Sequence, residues 1–182
     1  MIDECLYEPA EDTFLLARAT QRYSGKVVLE IGVGSGYITV ELSKKSFTVG
    51  TDISINAIRK AKIKLKSINY NNVELVHCDG ASPFRKRCFD MIVFNPPYLP
   101  SEKIIDLTVD GGQEGIEVVK KFIEHSVNVV SNSGSIIFLL SNISNYKKIV
   151  KIFKEKGFEV KIKESLKLFY EEIFILKALK IH

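Results

Sequence analysis

Short β-branched runs alternate with amphipathic ones through most of this chain. Residues 26–31, 47–51, 73–77, 89–94 and 135–140 each read as a strand, the first of them buried. Between them, residues 37–45, 54–67 and 118–130 carry apolar positions at helical spacing, with Ser54 placed to cap the second. Such alternation predicts βαβ units around a parallel sheet. A further helix is expected over residues 146–156, closed by Gly157. Residues 158–162 and 172–179 are then two strands joined by about nine residues, too few for a helical crossover, so they predict an antiparallel hairpin. Pro9 and Ala10, followed by Glu11 and Asp12, read as a helix start with acidic first-turn residues.

The chain has 182 residues, 46% hydrophobic and 26% charged, which fits one domain spanning 1–182 and is far from a disordered composition. Its apolar runs fall well short of the roughly 20 residues that cross a bilayer. Asp3, Glu4 and Glu8 stand where a signal peptide carries positive charge, so a soluble cytoplasmic protein is expected. Cys5, Cys78 and Cys88 are odd in number and widely spaced, which indicates neither a disulfide framework nor a metal site. The net charge of +4 is scattered. The lysines of residues 59–66 read as a solvated helix face and Arg85-Lys86-Arg87 as a charged turn. His77 and His125 lack ligand spacing and read as structural.

Two segments carry chemistry. In Glu30-Ile31-Gly32-Val33-Gly34-Ser35-Gly36 a strand enters a glycine turn and then a helix, whose free amides and bare backbone admit a ligand. Asp52 ends the next strand, where a carboxylate accepts the hydroxyls of a ribose. Tyr37 stands where a dinucleotide fingerprint has its third glycine, and Glu30 would repel a pyrophosphate. A cationic sulfonium bearing an amino group suits this turn better, which points to S-adenosylmethionine. Asp79, at the end of the third strand, is placed to accept from an adenine amino group.

The second segment is Asn95-Pro96-Pro97-Tyr98. Two prolines fix the backbone and aim the Pro96 carbonyl. With the Asn95 side-chain oxygen, it offers two acceptors to a planar NH2 group, and Tyr98 offers a flat face. The pair favours positive charge building on nitrogen as a methyl arrives, and no strong base is needed.

Together with Tyr7-Glu8-Pro9-Ala10-Glu11-Asp12-Thr13, these motifs resemble the HemK family, which methylates the glutamine of the Gly-Gly-Gln motif in peptide-chain release factors. The resemblance runs from Tyr7 to about Leu176 and includes Asp110-Gly111-Gly112-Gln113-Glu114-Gly115, where Gln113 reads as coincidental. It implies a Rossmann-like class I methyltransferase: a seven-stranded, mostly parallel sheet with a C-terminal antiparallel hairpin and helices on both faces. Residues 1–25 would form a helical segment over the cofactor site. Thr13, Glu30 and the turn of Gly32, Gly34 and Gly36 would line the methionine part of S-adenosylmethionine. Asp52 with Ile53 would hold the ribose, Asp79 with Gly80 the adenine, and Asn95 would also touch the cofactor. Asn95, Pro96, Pro97 and Tyr98 would bind substrate, with Asn95, Pro96 and Tyr98 at the reaction centre, while Tyr7 could close over the cofactor.

Only about six residues precede Tyr7, whereas bacterial members carry a helical substrate-binding domain. The archaeal and eukaryotic branch, which this resembles, works as a heterodimer with a small zinc-binding activator subunit. Val73, Leu75 and Val76 would lie on an edge strand that such a partner could extend. The expected substrate is thus a release factor. An adenine or guanine amino-methyltransferase acting on DNA or RNA is the alternative, since it would share the same catalytic loop. A non-catalytic scaffold is a third reading, against which the intact glycine turn, Asp52 and N-P-P-Y argue.

Overall fold

The protein is described from a computed structural model, which covers residues 8–22, 25–68, 71–106 and 108–181. Cys5 and Tyr7 lie outside the described residues. Strands β1 (Val27–Ile31), β2 (Phe47–Asp52), β3 (Val73–His77), β4 (Phe89–Phe94), β5 (Val130–Ser141), β6 (Phe158–Lys167) and β7 (Glu172–Lys180) form one sheet in the order β3-β2-β1-β4-β5-β7-β6. β1 to β5 pair in parallel, and β7 pairs antiparallel with both β5 and β6. The helices are α1 (Glu11–Thr20), α2 (Tyr37–Ser43), α3 (Ile55–Ser67), α4 (Glu117–Val129) and α5 (Tyr146–Glu155). Ser54 caps α3 by accepting from the Ala57 amide, as its sequence position predicts.

The central strands are apolar at nearly every position because both faces are covered. On β4, β5 and β7, Ile92, Phe94, Phe138 and Leu176 face one core with Val119 and Ile123 of α4 and Phe153 of α5. Met91, Val93, Ile137 and Ile175 face the other, with Leu15 and Leu16 of α1 and Ile38 and Leu42 of α2. Phe138 stacks between Phe94 and Phe153, with ring centroids 5.2 and 5.1 Å away.

Two elements differ from the sequence reading. β5 begins at Val130 because Val130 pairs with Phe89 before the register shifts and Ser135 meets Met91. Residues 131–134, which the sequence leaves between the helix ending at 130 and the strand starting at 135, are an irregularity within the strand. β6 runs on to Lys167 across a register shift at Ile162/Glu164, so the connection to β7 is 168–171, not nine residues. The continuation is polar at most positions, with Leu166 packing against the α1 side, and period-2 hydrophobicity therefore fades at Ile162.

Candidate active site

A cavity of about 590 Å3 opens at the C-terminal ends of the parallel strands. In an open α/β sheet this is where ligands bind, beside the point at which the strand order reverses, here between β1 and β4. It is lined by Asp12 and Thr13 of α1, Glu30, the turn after β1, Asp52, Ile53, Asp79, Gly80 and the residues from Asn95 to Leu99.

The turn after β1 carries positive φ at Gly32 (82°), Gly34 (49°) and Gly36 (75°), a region costly for side chains. Gly32 and Gly34 line the cavity, whereas Gly36 does not. A Cβ at Gly36 would lie 3.1 Å from that of Ala61, so this glycine lets α2 approach α3 instead of a ligand. Asp52 locks the turn. Its Oδ2 accepts from the Gly34 amide at 2.9 Å and its Oδ1 from the Ser54 amide at 2.8 Å. Each oxygen keeps a lone pair for a ribose hydroxyl. Asp52→Ala is expected to weaken S-adenosylmethionine binding about 10- to 100-fold in calorimetry, the value of one or two such bonds.

Glu30 is buried on the α2 face of β1, where Thr39 donates its hydroxyl to it. Burial pushes its carboxyl up to about 8; the Thr39 bond opposes this and the charge of Asp52 adds to it. Free Glu30 is therefore largely protonated at neutral pH. A cation brought beside it favours the carboxylate, so cofactor binding should release up to one proton below pH 8. Affinity should then rise with pH, by up to about tenfold per unit, and level off near pH 8. Calorimetry in buffers of different ionisation enthalpy measures this release, and Glu30→Gln should abolish it. The same raised value means that apo stability declines as pH climbs from about 4.5 through 8.

Asp79 lies beside Lys121 of α4, whose Nζ is 2.5 Å from its Oδ2. This leaves Oδ1 for an adenine amino group. Gly80 (φ 57°) is clasped by His125: a Cβ there would overlap the imidazole, whose Nδ1 accepts from the Ala81 amide at 2.9 Å. His77 Nε2 lies 2.9 Å from the Ile53 carbonyl. Both histidines are thus backbone props.

The most informative contact is at Asn95. Its Nδ2 donates to Oδ2 of Asp12 at 2.9 Å, and Asp12 is itself oriented by the Thr13 amide, 2.6 Å from Oδ1. A carboxylate only accepts, so it selects the nitrogen end of the Asn95 amide. Asn95 Oδ1 is left buried and without a hydrogen-bond partner among the described residues. A buried orphan acceptor is costly unless a ligand satisfies it. The sequence places Asp12 as a first-turn acid within the Tyr7–Thr13 segment and gives it no role of its own, yet it is buried and orients the Asn95 amide.

Tyr98 is half-buried. Burial first, then the carboxylates of Glu171 and Asp12 and its hydrogen bond to Glu171, hold its hydroxyl protonated well above its ordinary range. It therefore offers an aromatic face and an intact hydroxyl, not a base. The loop beyond it doubles back: Leu99 N–H donates to Val109, Gly111 to Leu99 and Ser101 to Gly112. Gly115 (φ 66°) ends a short 3-10 turn, Gln113–Gly115, and sits so close that a Cβ would overlap the Tyr98 carbonyl oxygen. Gln113 does not line the cavity. Gly115→Ala is expected to cost about 2–4 kcal/mol in denaturant unfolding, from backbone strain and overpacking, with activity falling as the Tyr98 loop shifts.

The methyltransferase small domain model matches residues 10–169. The chain belongs to that family. MJ0928 of Methanocaldococcus jannaschii, provisionally named a protein N5-glutamine methyltransferase, is 36% identical over 97% of this chain and 92% of its own length. Human methyltransferase HEMK2 is 31% identical over 96% of this chain and 90% of its own. Among solved structures, a chain of the E. cuniculi Mtq2–Trm112 complex superposes with a TM-score of 0.81 at 30% identity, covering 96% of this chain and 98% of that one. That complex is described as responsible for methylation of the eRF1 translation termination factor. The protein is a class I, S-adenosylmethionine-dependent methyltransferase, and its relatives include protein N5-glutamine methyltransferases. The cavity suits the cofactor: a buried carboxylate at Glu30 for its cationic part and a backbone-anchored carboxylate at Asp52 for its ribose.

Proposed function

We propose that this methyltransferase modifies the side-chain amide nitrogen of the glutamine in a Gly-Gly-Gln loop of a peptide-chain release factor. The observation that carries this reading is the buried, unpartnered Oδ1 of Asn95, held in place by Asp12. With the Pro96 carbonyl it supplies two acceptors for the two hydrogens of a planar amide NH2. Release factors enter through the relatives, some of which are named release factor glutamine methyltransferases.

S-adenosylmethionine, when bound, supplies an electrophilic methyl group. The chain does the rest. Asn95 and Pro96 hold both amide hydrogens, turn the nitrogen towards the cofactor site and stabilise the positive charge that develops there. The nitrogen gains the methyl and loses one hydrogen as a proton to water. Tyr98, kept neutral, packs its ring beside the planar amide.

A small zinc-binding partner subunit on the β3 edge completes the reading. β3 pairs with β2 and with no other strand among the described residues. Val73, Leu75 and Val76 on it are half-buried, an edge that an added strand or an apolar surface would cover. The Mtq2 structure is a complex with a second protein, Trm112, which is consistent with such a subunit.

The test is transfer of labelled methyl from S-adenosylmethionine to the cognate release factor, with and without the co-expressed partner. Label should disappear when the motif glutamine becomes alanine. The alternative, an amino group of adenine or guanine, would use the same clamp. Equal labelling of DNA or RNA fragments would replace the glutamine reading with that one.

A further inference from the structure

Beyond helping to keep Tyr98 protonated, the turn between β6 and β7 has no role in the reaction described above, yet it reaches the acceptor end of the cavity. Glu171 lines the cavity beside Tyr98, whose hydroxyl its carboxylate helps to keep protonated. Its Oε2 is buried and has no hydrogen-bond partner among the described residues. Like Asn95 Oδ1, it is an acceptor awaiting a donor. The two residues before it are the reverse: Phe169 and Tyr170 are 91% and 88% exposed, with rings edge to face at 4.7 Å. A pair of exposed aromatics contributes nothing to the core.

The turn is firmly placed. Leu168 N–H donates to the Glu171 carbonyl at 2.8 Å, the Glu172 amide to Asn142 Oδ1 at 2.8 Å, and the Asn142 amide back to the Glu172 carbonyl at 2.9 Å. A second exposed apolar group stands on the loop after Tyr98, where Ile104 lines the cavity and its neighbour Ile105 is 84% exposed.

We propose that the turn 168–171 reads the polypeptide on either side of the methylated residue, with Glu171 Oε2 accepting a main-chain N–H of the substrate and Phe169 and Tyr170 packing on the flanking chain. This rests on the glutamine reading above and extends it to how the surrounding peptide is held. A polypeptide fits where a nucleic acid does not. Asn95 and Pro96 already engage both hydrogens of the target NH2, so the donor for Glu171 comes from another group, and an extended chain offers one at nearly every residue. The cavity lining is rich in carboxylates, and the one lysine in it among the described residues, Lys121, is ion-paired to Asp79, so a phosphate backbone would meet repulsion.

The experiment is steady-state methylation of a synthetic Gly-Gly-Gln peptide by the full chain with its partner. Glu171→Gln and the exposed double variant F169A/Y170A are compared with wild type, and cofactor affinity is followed by calorimetry. Each variant should lower kcat/KM for the peptide at least tenfold, with the loss in KM, while S-adenosylmethionine affinity stays within about twofold. A peptide in which an ester replaces the main-chain amide beside glutamine removes one N–H. It should be a poorer substrate for wild type by about tenfold, with little further loss on Glu171→Gln. Unaltered KM in both variants, or ester and Glu171 effects that simply multiply, would overturn the proposal. So would single-stranded RNA that competes with the peptide on wild type but not on F169A/Y170A. Failure of wild type to methylate the peptide at all would instead count against the glutamine reading.

Discussion

Asn95→Ala is expected to lower kcat for methyl transfer about 10²- to 10³-fold while leaving S-adenosylmethionine affinity within a few-fold. The Asn95 oxygen is buried and unpartnered before substrate arrives, so binding the amide removes a cost already present in the protein. As the nitrogen becomes cationic its hydrogens become stronger donors, and the bond to Asn95 strengthens in the transition state more than in the ground state. Loss of one such preorganised partner typically costs this much in kcat. The cofactor contacts proposed at Asp52, Glu30 and the glycine turn are left in place by the substitution. Single-turnover transfer with calorimetry on the same preparation measures both quantities. Near-normal turnover in the variant would mean that the amide is not gripped at Asn95.

The second large effect is at Asp12, which touches Asn95 across 83 residues of sequence. Asp12→Asn changes one atom and almost no volume. The Thr13 amide holds Oδ1 of residue 12, so the new nitrogen takes the place of Oδ2 and faces the nitrogen of Asn95. Two donors do not bond, and the Asn95 amide should turn over to give its oxygen to residue 12. It then presents NH2 to a substrate that also presents NH2. kcat is expected to fall about 10- to 100-fold, because a charge-assisted bond is lost and one donor is set against another at the substrate. The melting temperature should change by only a few degrees. A substitution acting merely on the helix start would move stability more than turnover. The measured ratio of the two decides between positioning and helix support.

The different legibility of these residues has a physical origin. N-P-P-Y and the glycine turn carry their function in local covalent chemistry: prolines remove donors, glycines admit positive φ, and an apolar strand before each places them at the same end of a parallel sheet. Gly36 belongs to that pattern by type, but its space is filled by Ala61 of α3, a contact no local rule contains. Asp12 looks like any acidic first-turn residue until α1 lies across the end of β4. Glu171 sits in a turn that hydrophobic periodicity makes too long, because β6 continues past Ile162 on polar residues paired with β7. Lys121 and His125 lie on one helix, α4, and reach the Asp79–Ala81 segment only once that helix covers the sheet.

Residue type and short spacing were enough to read the parallel sheet, the cofactor class and the Asn95–Tyr98 loop proposed to grip the amide. Which way the Asn95 amide faces, which carboxylates surround Tyr98 and which glycines meet the cavity became visible only in the folded chain. Those depend on hydrogen bonds and packing between segments far apart in the chain. The orientation of a single side-chain amide follows from where α1 comes to rest.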